Sequence, residues 1–323
     1  MNPRWLDPEI ARLRSAYAAG RLPHALLIHE APGAGGEWLA GWAARMVLCS
    51  NPAQAPCERC AGCQRAAQGH HPDLTVVRPV EASVQIRIEQ VRELGLELAL
   101  TAHQGGYKVG LLSPADSMNR FAANALLKTL EEPPQGTLLV LVASQPSRLP
   151  PTILSRCQRV RVRVPGRAEA VAWLEATRGP GDWDRVLEVL GTGPMAAVGV
   201  DPVAVVEIAA EVDRGLEEAA GGAGDPVATA ERWARSELPL RLTCVENWLT
   251  ERIRGNAGVG SLFTEVRAGA HPPRHGESLD LRQLFGLLDA VRELKSPFDA
   301  PINKGLALES LLRSLETRRF TRA

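Results

Sequence analysis

Apolar runs alternate with amphipathic stretches through the first half of the chain. Ala25–His29 (ALLIH) is a short run of the kind that forms a buried strand, and Leu74–Val77 reads as a second strand. Val109–Leu112 and Leu138–Val142 are continuous apolar runs short enough for central strands. Between them apolar residues recur at three- and four-residue steps, as helices require: Trp38, Leu39, Trp42, Ala43 and Met46, then Ile88, Val91, Leu94 and Leu98. Phe121–Leu130 has the same period, with Ala122, Ala125, Leu126 and Leu130 on its packing face, and Pro133–Pro134 stops it. Arg159–Val164 (RVRVRV) alternates strictly, as a strand with one wet face does. Strands alternating with helices predict a parallel α/β sheet.

After Pro165 the period becomes helical throughout. Ala168–Ala176 and Asp182–Leu190 are two short helical stretches separated by Gly-Pro-Gly. Longer ones follow at Val205–Ala219, Ala228–Arg235, Pro239–Arg254, Leu279–Leu294 and Leu306–Thr317. Gly221–Pro226 and Gly269–Gly276 are loops by composition. The pattern predicts an α/β domain, a small helical domain and a helical bundle. Cys244 falls in a helical pattern and reads as core.

Composition narrows the function classes. The 323 residues carry 37 Lys plus Arg and 37 Asp plus Glu, a formal charge of zero. That balance argues against a protein that wraps nucleic acid non-specifically, although a local basic face is compatible with it. With 4% aromatic residues there are few platforms on which single-stranded bases could stack. No apolar run reaches the roughly 18 residues of a membrane span. Arg4, Asp7, Glu9, Arg12 and Arg14 interrupt the N-terminus, which does not read as a secretory signal. The expected location is the cytoplasm, where thiols stay reduced, so the six cysteines are better read as ligands or free thiols than as disulfides.

The first strand leads into Glu30-Ala-Pro-Gly33-Ala-Gly35-Gly36-Glu37 and then a helix. Strand, glycine-rich turn and helix N-terminus form an anion cradle, because backbone N–H groups and the helix dipole converge there. A hydrolytic phosphate loop continues with Lys and Ser/Thr, which hold the β/γ-phosphates and Mg²⁺. Here Gly36 and Glu37 occupy those two positions, and a carboxylate at the mouth is expected to repel phosphate. The acidic pair that should follow a later strand is replaced by Ser113-Pro114. The loop is therefore read as keeping its turn without hydrolysing ATP. Weak residual nucleotide binding and a plain Gly-Pro turn are the alternatives.

Cys57-x-x-Cys60-x-x-Cys63, with Cys49 eight residues earlier, supplies the four thiolates of a tetrahedral Zn²⁺ site. A four-ligand site is closed and structural. Free thiols and a redox Cys-x-x-Cys are the other readings. His70 and His71 are near enough to be rival ligands, but they precede a strand and are read as structural. Ser155-Arg156-Cys157 precedes the alternating strand. An arginine at such an edge can form a surface ion pair or reach a neighbour's γ-phosphate.

Taken together these motifs resemble the delta-prime subunits of the bacterial DNA polymerase III clamp loader, in the AAA+ clamp-loader family. Ala122-Ala-Asn-Ala-Leu-Leu-Lys-Thr-Leu-Glu-Glu-Pro-Pro134 is similar to a helix shared by clamp-loader subunits, and Leu154-Ser-Arg-Cys157 to the Ser-Arg-Cys motif. Arg21-Leu-Pro-His-Ala-Leu-Leu27 resembles the first strand, and Cys49, Cys57, Cys60 and Cys63 match the zinc module at about 49–63. The resemblance is dense from about residue 20 to 165 and only architectural beyond. Gamma/tau subunits share the zinc and Ser-Arg-Cys motifs but keep the phosphate-loop lysine and the acidic pair. The losses at Gly36, Glu37, Ser113 and Pro114 therefore point to delta-prime.

The resemblance implies an AAA+ α/β domain over 1–165, a helical lid over 166–202 and a C-terminal helical collar over 203–323. It implies structural Zn²⁺, and a ring with gamma/tau and delta that opens a sliding clamp and places it on primed DNA. No intrinsic ATPase is expected. ATP is bound by the partner subunit, and Arg156 acts on it in trans as an arginine finger. Ser144, at the end of an apolar strand, stands where related ATPases place a polar sensor. Competing readings are an active AAA+ ATPase with an unusual loop and a zinc-dependent nucleic-acid binder outside replication.

Overall fold

In the computed structural model, which describes residues 2–80, 85–103, 106–256, 281–295 and 303–316, the alternating runs form one five-stranded parallel sheet. The strands are β1 (Ala25–His29), β2 (Leu74–Val77), β3 (Lys108–Leu112), β4 (Thr137–Ala143) and β5 (Gln158–Arg161), in the order β2-β3-β4-β1-β5. All residues of β3 and β4 are buried, as expected of central strands covered on both faces. β2 lies at one edge and buries only Val77 fully.

β5 lies at the other edge and pairs with β1 from Leu26↔Gln158 to His29↔Arg161. It is shorter than the alternating run Arg159–Val164. Val162 still donates its N–H to His29 O, but beyond His29 the neighbouring chain turns away into a loop, so no further ladder can form. Val160 and Val162 face inward while Arg159, Arg161 and Val164 are exposed. The alternation thus survives as a wet edge with a shorter strand.

Helices α1 (Asp7–Ala18), α2 (Gly36–Val47), α3 (Ala61–Ala67), α4 (Ile88–Ala99), α5 (Arg120–Glu131), α6 (Pro151–Leu154) and α7 (Arg167–Arg178) complete this part of the chain. On one face of the sheet Val91, Leu94 and Leu98 of α4 and Ala122, Leu126 and Leu130 of α5 pack with Leu27, Leu112, Leu139 and Leu141. Asn119 caps α5 by accepting the Ala122 N–H at 2.8 Å. Asn124 and Lys128 point to solvent from the same helix. The N-terminal stretch is a helix beginning at Asp-Pro. Trp5 just before it is buried, donates to Ala34 O at 2.7 Å and meets Trp173 of α7 edge-on.

The remaining helices are α8 (Trp183–Leu190), α9 (Pro194–Ala197), α10 (Pro202–Ala220), α11 (Pro226–Arg235), α12 (Leu238–Asn256), α13 (Leu281–Lys295) and α14 (Lys304–Glu316). The chain separates into two compact units, Met1–Gly179 with Thr192–Gly199, and Pro180–Gly191 with Val200–Ala323. The helices of 166–202 are divided between them: α7 and α9 belong to the first unit and α8 to the second. α10 and α11 begin earlier than their apolar period suggests. Asp201 and Asp225 cap them and proline fills the first turn, a start signal that hydrophobic spacing does not register. The second unit buries Val212, Leu216, Leu249, Leu288, Val291 and Leu312, and Cys244 is in its core. Glu211 ties Arg232 and buried Arg241 together. The loop read at 269–276, and the ends of two helices at 279–280 and 317, lie outside the described residues.

The β2–β3 edge is locked by a buried ion cluster. Asp73 accepts from the His103 backbone N–H at 2.9 Å and ring Nδ1 at 3.2 Å, and lies 3.6 Å from Lys108 Nζ. Burial alone would raise its carboxyl, but the His103 hydrogen bonds and the Lys108 charge outweigh it and hold Asp73 below the usual carboxylate range. A depressed carboxyl stabilises the fold above its unfolded pKa, and that contribution is lost as pH falls through the lower folded value. Asp73→Asn is therefore expected to cost about 3 kcal/mol in denaturant unfolding at pH 7, since it strands buried Lys108. The difference from the parent should shrink as the pH is lowered below the ordinary Asp range.

Candidate functional site

Three constellations anticipated from the sequence are built on the first unit. The turn after β1 runs from Glu30 to Gly36 and delivers the chain into α2. Gly33 (φ 73°) and Gly35 (φ 109°) adopt left-handed backbone that a β-carbon would strain. The expected cradle is present, but a side chain of the protein occupies it. Glu30 Oε2 accepts the N–H groups of Gly35 at 2.9 Å and Gly36 at 2.5 Å, and Glu30 is only 7% exposed. Burial pushes the Glu30 carboxyl above its ordinary value, further than the N–H groups of Gly36 and Gly35 pull it down. On the outer side of the turn, Gly193 donates to Pro32 O at 2.8 Å and Met195 to Gly33 O at 3.0 Å.

Glu37 does not sit as expected. Rather than facing the mouth as an uncompensated charge, it accepts from Ser113 Oγ at 2.5 Å and pairs with Arg78 at 2.9 Å. Ser113 and Pro114 stand directly after β3, where an acidic pair was sought, and Ser113 is buried. Ser144 is half-buried just past β4. Glu30 was not recognised from sequence. The only available signal was an acid three residues before the first glycine of the loop, at the end of a buried strand.

Cys49, Cys57, Cys60 and Cys63 converge, with their four sulfurs all within 4.8 Å of one another. Cys49 ends the segment after α2, and Cys60 caps α3 by accepting the Cys63 N–H at 3.3 Å. Cys49 Sγ also accepts the N–H groups of Asn51 and Cys57, both at 3.4 Å. Burial raises the Cys60 thiol, yet N–H donation from Cys63 and Ser50, with the neighbouring thiols, brings it down to about 6. Burial pushes Cys63 up to about 12. Tetrahedral thiolates 2.3 Å from a zinc ion lie about 3.8 Å apart, and Cys49 Sγ and Cys60 Sγ are separated by 3.9 Å. The four sulfurs are therefore close enough together to hold a metal ion. His70 and His71 are not in the set; His71 is buried and accepts the Asp73 N–H through Nδ1.

Arg156 follows α6 in the short link before β5. Its Nη1 donates to Thr152 O at 3.1 Å, its Nη2 pairs with Glu131 at 2.8 Å, and its side chain is 36% exposed. Ser155 Oγ donates to Thr152 O at 3.0 Å and holds the turn, while Cys157 is buried, its thiol pushed up to about 11 by burial. Because Leu26 is level with Gln158, Arg156 stands at the N-terminal edge of the sheet. The cradle stands at the opposite, C-terminal edge. Four strand steps of about 3.3 Å separate the ends of β1, on the order of 13 Å. The structure thus does not bring Arg156 together with the chain's own cradle.

Comparison with known proteins shows the family to which the chain belongs. A family model described as DNA polymerase III, delta subunit, matches residues 6–165. The DNA polymerase III subunit delta-prime of Pseudomonas aeruginosa is 41% identical over 230 residues, 70% of each chain. That of Escherichia coli is 40% identical over 171 residues, 53% of this chain and 51% of its own. The tau subunit of Escherichia coli is 32% identical over 155 residues, 48% of this chain and 24% of its own. A crystal structure of a DNA polymerase III gamma subunit-related protein from Thermotoga maritima superposes with a TM-score of 0.51 at 17% identity. It covers 95% of this chain and 99% of its own, a likeness of fold.

The convergence of four sulfurs predicts about one equivalent of divalent metal per chain after purification under reducing conditions, read by elemental analysis. Cys60→Ser should lose most of it and open the Cys49–Cys63 segment to proteolysis. Less than about half an equivalent in the parent protein would remove the four-thiolate site.

Proposed function

Because the chain belongs to the DNA polymerase III delta-prime family, we propose that it is a clamp-loader-type replication subunit that hydrolyses no ATP and lends Arg156 to a neighbour's ATP site. One observation supports the finer reading above the others. The chain's only anion cradle of this type among the described residues is filled by Glu30, whereas a partly exposed cation, Arg156, is displayed at the far edge of the same sheet. A guanidinium there serves a phosphate that another protein brings to it.

In this reading the neighbour is a gamma/tau subunit, delta completes the ring, and the sliding clamp and primed DNA are engaged through the complex. The fixed charge of Arg156 stabilises the negative charge that develops on the transferring γ-phosphoryl group. Ser155 shapes the turn and buried Cys157 anchors it at the start of β5. The four cysteines hold structural Zn²⁺, whose binding in zinc-finger peptides is worth about 10–16 kcal/mol. The AAA+-like domain, lid and collar over 1–165, 166–202 and 203–323 belong to the same proposal, as does a cytoplasmic location. No described helix is long and apolar enough to cross a membrane.

The test is ATP turnover by the complex reconstituted with gamma/tau, delta, clamp and primed DNA. Arg156→Ala should leave assembly intact and slow the one adjacent site by about 10³-fold or more, the scale of an arginine finger. The isolated chain should show no turnover. Full stimulated activity with Arg156→Ala would remove the trans role.

A further inference from the structure

We propose that the Glu30 carboxylate is a built-in ligand of the cradle at the start of α2, an internal anion that holds the loop in its liganded shape and keeps external oxyanions out. This deepens the non-hydrolysing reading, but it is tested on the isolated chain, so either can fail without the other.

Three features of the site carry the inference. The first is the pairing itself: one carboxylate oxygen takes two successive N–H groups at the helix start, Gly35 and Gly36, in a place sheltered from water. Those are the donors and the dipole end that a phosphate would use in a loop of this shape. The second is steric. A β-carbon on Gly36 would lie 2.7–3.0 Å from Cδ, Cγ and Cβ of Glu30. The position where a hydrolytic loop carries lysine must therefore stay bare for Glu30 to sit where it does. A side chain at position 36 and the internal carboxylate exclude each other.

The third is the division of labour between the two acids. Glu37 is occupied by Ser113 and Arg78, so its charge is answered outside the cradle and Glu30 alone fills it. The outer wall of the turn is closed by Gly193 and Met195 through backbone hydrogen bonds to Pro32 and Gly33. Removing the Glu30 side chain would leave the Gly35 and Gly36 N–H groups without an acceptor in a space the size of a carboxylate. Such donors demand a partner. A small tetrahedral oxyanion is the chemical class that can replace the lost one.

The probe is inorganic phosphate, applied to the full chain as the parent, Glu30→Gln and Glu30→Ala. Thermal unfolding is compared in potassium phosphate and potassium chloride at matched ionic strength. Phosphate raises the melting temperature of many proteins by exclusion, so the reading is the excess over the parent. In chloride, Glu30→Ala should melt below the parent. Phosphate at tenfold its dissociation constant should add an excess of about 3–5 °C. Glu30→Gln, whose amide oxygen still accepts both N–H groups, should respond as the parent does. Equal phosphate responses in all three proteins would overturn the proposal. So would a Glu30→Ala protein as stable as the parent in chloride, or one that refolds in neither buffer, since the cradle would then not take an exchangeable anion.

Discussion

Backbone N–H groups that are turned inward must find an acceptor, and the turn after β1 gathers two of them at one point. Most glycine-rich turns of this shape leave that need to a phosphate. Here it is met from within, by Glu30, and the surrounding residues follow from that choice. Position 36 has to lack a side chain. Glu37, the next residue, is free to turn outward and accept from Ser113 at the end of β3 while pairing with Arg78 just past β2. The C-terminal ends of β1, β2 and β3 are thereby tied together by two carboxylates, at the edge where a nucleotide-binding member of this fold would hold its ligand.

The ion pairs of the first unit differ in kind according to their burial. The Asp73–Lys108 pair has side-chain exposures of 1% and 6%, so neither partner can be removed without stranding a charge in a dry place. The Arg156–Glu131 pair is 36% and 50% exposed, and pairs of that sort contribute about 0.2–1 kcal/mol. A bond that weak aims a guanidinium without committing it. A phosphate arriving on another chain could displace Glu131 at little cost. The buried cluster stiffens the β2 edge, and the loose pair leaves the β5 edge exchangeable.

The strands and the amphipathic helices were legible because burial leaves a period in the sequence: β3 and β4 are wholly buried, and α5 shows its apolar face at Ala122, Leu126 and Leu130. The cysteine set was legible because thiol spacing is itself chemistry. Helix starts were less so. α10 and α11 begin at Asp-Pro, where a side-chain cap and not an apolar residue marks the boundary. The shortness of β5 was hidden because it depends on where its partner β1 ends. Glu30 was hidden for a related reason. An acid at the end of a buried strand looks like a solvated residue until the turn beyond it folds back, and the acid that drew notice, Glu37, proved to be the neutralised one.

A cradle filled by the chain's own Glu30 keeps the shape of an anion-binding turn, and the sheet explains why. β1 is paired on one side with β4 and on the other with β5, and the turn that follows it fixes where α2 starts and packs against β1 and β4. If the turn collapsed, α2 would shift, β1 would shift with it, and the ladder from Leu26 to His29 that sets the register of β5 would move. Arg156 sits two residues before that ladder begins. The exposed cation at one edge and the filled cradle at the other are thus both placed by β1. An internal carboxylate supplies from within the chain the acceptor that the turn's N–H groups need.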